Sequence, residues 1–176
     1  FPNAIIHSFE PIKENYNALS KITSSQRQLN SHQIALGAKP CYANMCIRQA
    51  SVLNSLEPTL NKPEPNDRGV EKVRVETIDR LLKNWDVENL DLLKIDVEGY
   101  ESKVIEGCQS SLKAGKVNLI YLETGLDDRF IPLQIFINQL APFSMKPYAF
   151  YDQTSHWTGK QSLWYWNALF VKDFLL

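Results

Sequence analysis

The stretch from residue 90 to 112 constrains the fold more than any other part of the chain. Leu90, Leu92, Leu93, Ile95 and Val97 make a nearly continuous apolar run interrupted by Lys94, the pattern of a strand buried on both faces. Asp96, Glu98 and Gly99 mark an abrupt acidic turn, and Tyr100, Val104, Cys108 and Leu112 then recur at helical spacing. A buried strand that enters a helix through a tight turn is a unit of a parallel sheet, because the helix must pack back on the strand it left. Extended geometry carried as far as Glu98 would send Asp96 and Glu98 to the same side. Gly99 lets the backbone turn tightly or approach a ligand closely. Acids at a helix start also gain from its positive end, so Glu98 or Glu101 serves equally well as a cap. Capping accounts for one of these acids and poorly for three.

The flanking sequence repeats the alternation. Residues 4–9 are a short apolar strand stopped at Glu10-Pro11, and Ile12, Tyr16, Leu19 and Ile22 then follow at helical spacing. Residues 33–36 read as a second strand ended by Gly37. The stretch to Asp67 loses periodicity and collects Pro40, Pro58, Pro63 and Pro65, so it reads as an insertion with one irregular strand over 41–47. Val73 and Val75 alternate with charged residues, and Thr77 can cap a short helix through Leu82. Residues 117–122 form another buried strand ending at Glu123, and Pro132 suits the first turn of a helix carrying Ile135, Phe136 and Leu140. Residues 145–151 and 165–171 are aromatic-rich strands that pair as an antiparallel hairpin. The expected architecture is α/β: a mostly parallel sheet with helices on both faces and a C-terminal antiparallel hairpin. Ligands of such sheets sit beyond the carboxyl ends of the strands. Glu10, Leu36, Asp96 and Glu123 all fall at expected strand ends and so point to one rim.

Composition limits what that rim serves. The 176 residues, 44% hydrophobic and 22% charged, suit one domain over 1–176. A net charge of -1 with interspersed signs gives no footprint for nucleic acid or an anionic membrane. No apolar run approaches the roughly 20 residues of a bilayer span, and no basic-then-apolar leader opens the chain. A cytoplasmic protein is expected. Cys41, Cys46 and Cys108 have neither disulfide-framework nor zinc spacing, and no metal site is indicated.

An acid just past a strand, as at Glu10, can accept hydrogen bonds from both hydroxyls of a ribose, although an acid before proline is more often a solvated turn. The run from Asp96 to Glu101, with Val104, Ile105 and Gly107 behind it, resembles the signature of FkbM-type methyltransferases. Five further stretches resemble that family in order: Glu10-Pro11, Ala35-Leu36-Gly37, residues 75–79, Tyr121-Leu122-Glu123 and residues 167–171. The resemblance implies a Rossmann-like class I methyltransferase sheet. It also implies methyl transfer from S-adenosylmethionine to an oxygen of a sugar, polyketide or other small metabolite. By the same resemblance Glu10 binds the cofactor ribose, Pro11, Ala35 and Leu36 lie along the adenine, and Asp96 faces the methionine end or the acceptor. An alcohol must lose its proton, so Asp96 is the first candidate for general base, with Glu98 and Glu123 behind it.

One feature departs from the family pattern. Its first strand carries a glycine-rich loop, whereas here seven glycines occur and none precedes Gly37. The chain, which begins at Phe1, is therefore expected to be N-terminally incomplete, lacking the first strand and glycine loop. The strands over 4–9 and 92–96 should then not pair directly, leaving apolar edges between them. Two other functions fit parts of the sequence. A nicotinamide-dependent oxidoreductase also uses a ribose-binding acid, and a non-catalytic Rossmann-like domain could keep the fold as an interaction surface. His156 could reach an acceptor pocket, while His7 and His32 read as structural. Trp157, Trp164, Tyr165 and Trp166 could form a flat platform for a sugar, or simply pack on the sheet.

Overall fold

The computed structural model describes residues 3–50, 53–56, 62–155 and 163–173. Nine strands are described: β1 (Ile6–Phe9), β2 (Leu29–His32), β3 (Ala35–Leu36), β4 (Cys41–Ile47), β5 (Gly69–Glu76), β6 (Leu90–Ile95), β7 (Val117–Gly125), β8 (Met145–Ser155) and β9 (Leu163–Lys172). Five α-helices lie between them: α1 (Lys13–Thr23), α2 (Ile78–Asn84), α3 (Glu101–Glu106), α4 (Gln109–Lys113) and α5 (Leu133–Leu140). The strands form three sheets, ordered β1-β2, β3-β5-β4 and β6-β7-β9-β8. Three strand pairs are parallel (β1-β2, β3-β5, β6-β7) and three antiparallel (β4-β5, β7-β9, β8-β9). The expectation of one mostly parallel sheet is thus corrected to a mixed α/β arrangement. The aperiodic 41–47 segment is a regular strand, antiparallel to β5 along its whole length. The expected second strand also splits: β2 lies earlier, over Leu29–His32 beside β1, while Ala35 and Leu36 pair with Val75 and Glu76 in the next sheet.

As expected, β1 and β6 do not pair; each closes the edge of its sheet among the described residues. Both carry exposed apolar side chains, with Ile6 41% and Leu92 46% exposed. The C-terminal hairpin is present, and β9 rather than β8 is the strand that joins β7.

The main core gathers where the sequence stripes meet. Val104, Ile105, Cys108 and Leu112 bury against Ile120 and Leu122 of β7, Ala168 and Phe170 of β9, and Phe136 and Leu140 of α5. A smaller core joins Ile12, Met45 and Val73. In α1 the apolar spacing misleads at its end: Ile22 is exposed, and Thr23 is buried instead, its hydroxyl 3.1 Å from that of Ser31. His7 and His32 do pack structurally. Their rings lie 4.3 and 4.8 Å from the Trp85 ring at the end of α2, and this stack ties the β1-β2 sheet to that helix.

The single helix expected after Gly99 is broken at Gly107-Cys108 into α3 and α4. Two contacts explain the break. The Gly107 carbonyl accepts the Asp79 N–H, and the Asp79 carboxylate accepts the backbone N–H groups of Ser110 and Ser111 at 2.8 and 2.7 Å, so a side chain on α2 caps α4. Gly107 also lies so close to the Gly37 carbonyl that a Cβ there would overlap it. Thr77 caps α2 as its sequence position implies, accepting the Arg80 N–H at 3.2 Å.

Candidate active site

The turn that follows β6 gathers the acids. Ile95 pairs with Leu122 of β7, so the next residues, Asp96 and Glu123, come to the same level of the sheet. Glu123 does not end its strand, contrary to expectation. Antiparallel pairing with β9 continues through Glu123–Asn167 to Gly125–Tyr165, which holds β7 extended beyond the point where β6 stops. Asp96 is exposed and ion-paired with Lys94 at 2.7 Å.

Glu98 reaches the same place by a different geometry from the alternation expected of a strand. Its φ is +54° and that of Gly99 is +87°, so the chain reverses immediately after Val97. The carboxyl is half-buried and faces other acids. Burial, then the charges of Glu123, Asp96 and Glu101, push its pKa up to about 7, with Arg129 partly offsetting them. Glu123 is likewise pushed up to about 7, by burial and then by Asp96 and Glu101, with Lys94 opposing. Two carboxyls that are half-protonated near neutral pH can accept or release a proton there.

The structure therefore brings Asp96, Glu98 and Glu123 together and adds Glu101, which is only 2% exposed. One Glu101 carboxyl oxygen accepts the N–H groups of Val97 and Gly99, both at 3.2 Å. Ser55, from the aperiodic excursion between β4 and β5, donates its hydroxyl to the Glu98 carbonyl at 2.5 Å. Sequence reasoning had Glu101 in view as a helix cap but gave no sign of Ser55.

The other expected site residues divide. Leu36 packs against the main core, and Gly37 lies against the Tyr100 ring, so the Ala35-Leu36 turn adjoins the residue after the acidic turn. Ala35 itself is buried. Glu10 and Pro11 stand at the end of β1 in a separate sheet. Glu10 accepts the Ile12 N–H at 2.8 Å, bonds the Asn15 side chain and faces Glu71; burial is the main cause of its raised pKa.

A cationic and aromatic patch borders the cluster where β7 ends. Asp127 is held down to about 2, first by its hydrogen bonds from Arg129, and it also accepts the Trp164 indole N–H at 2.6 Å. The Arg129 guanidinium lies 4.6 Å from the Trp164 ring centre, and Phe130 stacks on Tyr165 at 5.2 Å. Of the expected aromatic platform, Trp164 and Tyr165 belong to this patch, Trp166 is buried, and His156 and Trp157 lie outside the described residues. No group of three or more metal-ligating side chains, and no helix long and apolar enough to cross a membrane, occurs among the described residues.

A solved methyltransferase FkbM from Methylobacillus flagellatus KT shares the fold with a TM-score of 0.54 at 12% identity, over 92% of this chain and 36% of that one. The chain thus spans about a third of the length of that protein. No curated protein matches the chain in sequence. The family model described as the methyltransferase FkbM domain matches residues 2–155, which covers the acidic turn, both flanking strands and the segment around Glu10, and the chain belongs to that family.

Proposed function

We propose that the chain belongs to a domain that transfers the methyl group of S-adenosylmethionine to an oxygen of a small metabolite or sugar. The observation that carries the reading is the carboxyl cluster after β6, where Asp96, Glu98, Glu101 and Glu123 converge and burial and mutual charge push Glu98 and Glu123 up to about 7. The donor set suits this cofactor. Carboxylates favour a ligand bearing a positive sulfur and an ammonium group, and apolar Leu36, next to the Gly37 that lies against the Tyr100 ring, suits a flat base. Glu10 keeps acceptor positions beyond those used by Ile12 and Asn15, because a carboxylate has about four lone-pair sites. Glu10 and Pro11 would hold the ribose side, Ala35 and Leu36 the adenine, and Asp96 the methionine end.

When bound, the cofactor supplies a methyl group already activated by its positive sulfur. What remains for the protein is alignment, exclusion of water and removal of the acceptor proton. Asp96, exposed and ion-paired with Lys94, would orient a hydroxyl. Glu98 is our preferred base: its carboxyl is half-buried and pushed up to about 7, and a base of that strength exchanges protons efficiently near neutral pH. Glu123, one strand away, tunes Glu98 by its charge. Family membership favours methyl transfer over the hydride transfer of a nicotinamide enzyme.

Calorimetry of the full-length protein with S-adenosylmethionine and with NAD tests the reading. Binding of the former alone is expected, and binding of NAD alone would overturn it.

A further inference from the structure

The Glu98-Gly99 peptide is gripped at both ends. Its carbonyl oxygen, on Glu98, accepts the Ser55 hydroxyl at 2.5 Å, and its N–H, on Gly99, donates to Glu101 at 3.2 Å. The same Glu101 oxygen accepts the Val97 N–H, so the backbone is tied on both sides of Glu98. Both gripping side chains are buried, Ser55 at 3% and Glu101 at 2% exposure. Glu98 meanwhile adopts a positive φ, a conformation costly for a residue with a Cβ and kept only where the surroundings over-determine it. Relaxing that φ means turning about the Glu98 N–Cα bond, which would move the Glu98 side chain and the Glu98-Gly99 peptide together.

Helix capping accounts for only part of what Glu101 does: its carboxylate takes its own N–H at the start of α3, but its other two bonds go to donors outside the helix. Through these Glu101 reaches back to residues 97 and 99. Ser55 is itself anchored. Its neighbour Asn54 accepts the Arg48 N–H at 2.8 Å, and the Arg48 guanidinium makes a two-pronged bond to Asp67 at 2.8 and 3.0 Å, closing the excursion on itself.

We propose that Ser55 and Glu101 are positioning residues: together they clamp the peptide plane between Glu98 and Gly99, and so hold the Glu98 carboxyl within the acidic cluster. The clamp assigns a role to the excursion between β4 and β5, which reaches across to the acidic turn through this contact. Its purpose rests on the methyltransferase reading, but its existence does not.

The test uses two readouts in the full-length protein that need no acceptor. In Ser55→Ala, the Glu98 carboxyl, followed by carbon-13 titration, should leave its half-buried position and gain acidity by tenfold or more. Gly99 amide exchange should accelerate roughly tenfold in both Ser55→Ala and Glu101→Ala, the effect of losing one hydrogen bond of this kind. Glu101→Gln, whose amide oxygen can still accept both N–H groups, should stay within a few-fold of the parent. If Ser55→Ala does not fold, Ser55→Cys, nearly the same size but a weak donor, carries the same measurement. A Glu98 titration and a Gly99 exchange rate both unchanged in the Ser55 variant overturn the clamp. Calorimetry with S-adenosylmethionine on the parent reports separately on the methyltransferase reading. Lack of binding there would sink that reading while the titration and exchange still decide the clamp.

Discussion

Glu98→Gln should make the protein more stable at pH 8 while leaving it nearly unchanged at pH 4. The carboxyl is ordinary at 4.5 in the unfolded chain and rises to about 7 in the fold, chiefly through burial and secondarily through Glu123. Between those values the native state holds a proton that the unfolded chain has lost, so by linkage stability falls as pH rises through the window. Below about 4.5 both states are protonated and the residue contributes no penalty. Taken in full, the rise corresponds to roughly 3.4 kcal/mol, at about 1.36 kcal/mol per tenfold change in proton affinity. Glu98 is only half-buried, and solvent screening leaves about 1–2 kcal/mol. The glutamine is neutral at every pH, keeps the shape and does not disturb the backbone bonds of the turn. Urea denaturation at pH 4, 6 and 8 checks the expectation: the variant's midpoint should exceed the parent's by a margin that opens between pH 4 and 8, with equal slopes. A variant that is less stable at pH 8, or equally displaced at every pH, would refute the claim that the fold crowds this carboxyl.

Gly107→Ala should destabilise by about 1–3 kcal/mol, the usual cost of overpacking, because its methyl would overlap the Gly37 carbonyl and come within 3.3 Å of the Thr77 Cβ; chemical denaturation reads it. Its φ of -78° is ordinary, so a stabilising result would show that the two backbones can part. Thr77→Ala should cost about 1 kcal/mol through loss of the α2 cap, measured the same way. Glu10→Gln should weaken S-adenosylmethionine binding by about 1–3 kcal/mol in calorimetry, since an amide oxygen replaces an ionised acceptor; an unchanged dissociation constant removes Glu10 from the site. At saturating cofactor and with a competent acceptor, Glu98→Gln should lower turnover roughly a hundredfold or more, and Asp96→Asn by less. The reverse order would return the base to Asp96.

How much of this was legible in the sequence depends on how local each determinant is. The strand over Leu90–Ile95, the acidic turn and the hairpin were readable because their patterns lie within one segment and match one period. Thr77 was readable as a cap for the same reason. The single sheet was not, because sheet membership depends on which edges meet. Ala35 and Leu36 look like part of a strand with residues 33 and 34, yet pairing with Val75 and Glu76 draws them into another sheet. The break at Gly107 is nonlocal as well: Asp79, 28 to 32 positions earlier, supplies the cap that the intervening Cys108 lacks.

The candidate site shows the same division with a more instructive failure. Alternation correctly grouped Asp96 with Glu98, but the reason was wrong, since Glu98 is not extended. An extended backbone at Glu98 would have left its position to the strand alone. A reversed one needs support, and that support comes from Glu101 within the motif and from Ser55, 43 residues earlier in a stretch without periodicity. The acids could be found from the sequence because clustered charge beside a buried strand is costly and thus conspicuous. The serine could not, because one hydroxyl in an irregular loop carries no pattern until the carbonyl it meets is known. Glu98 also shows why the two halves belong together. A carboxyl pushed up to about 7 is useful as a base only if it stays where burial and neighbouring charge act on it. The strained turn would release it to solvent, and the bonds from Ser55 and Glu101 oppose that release.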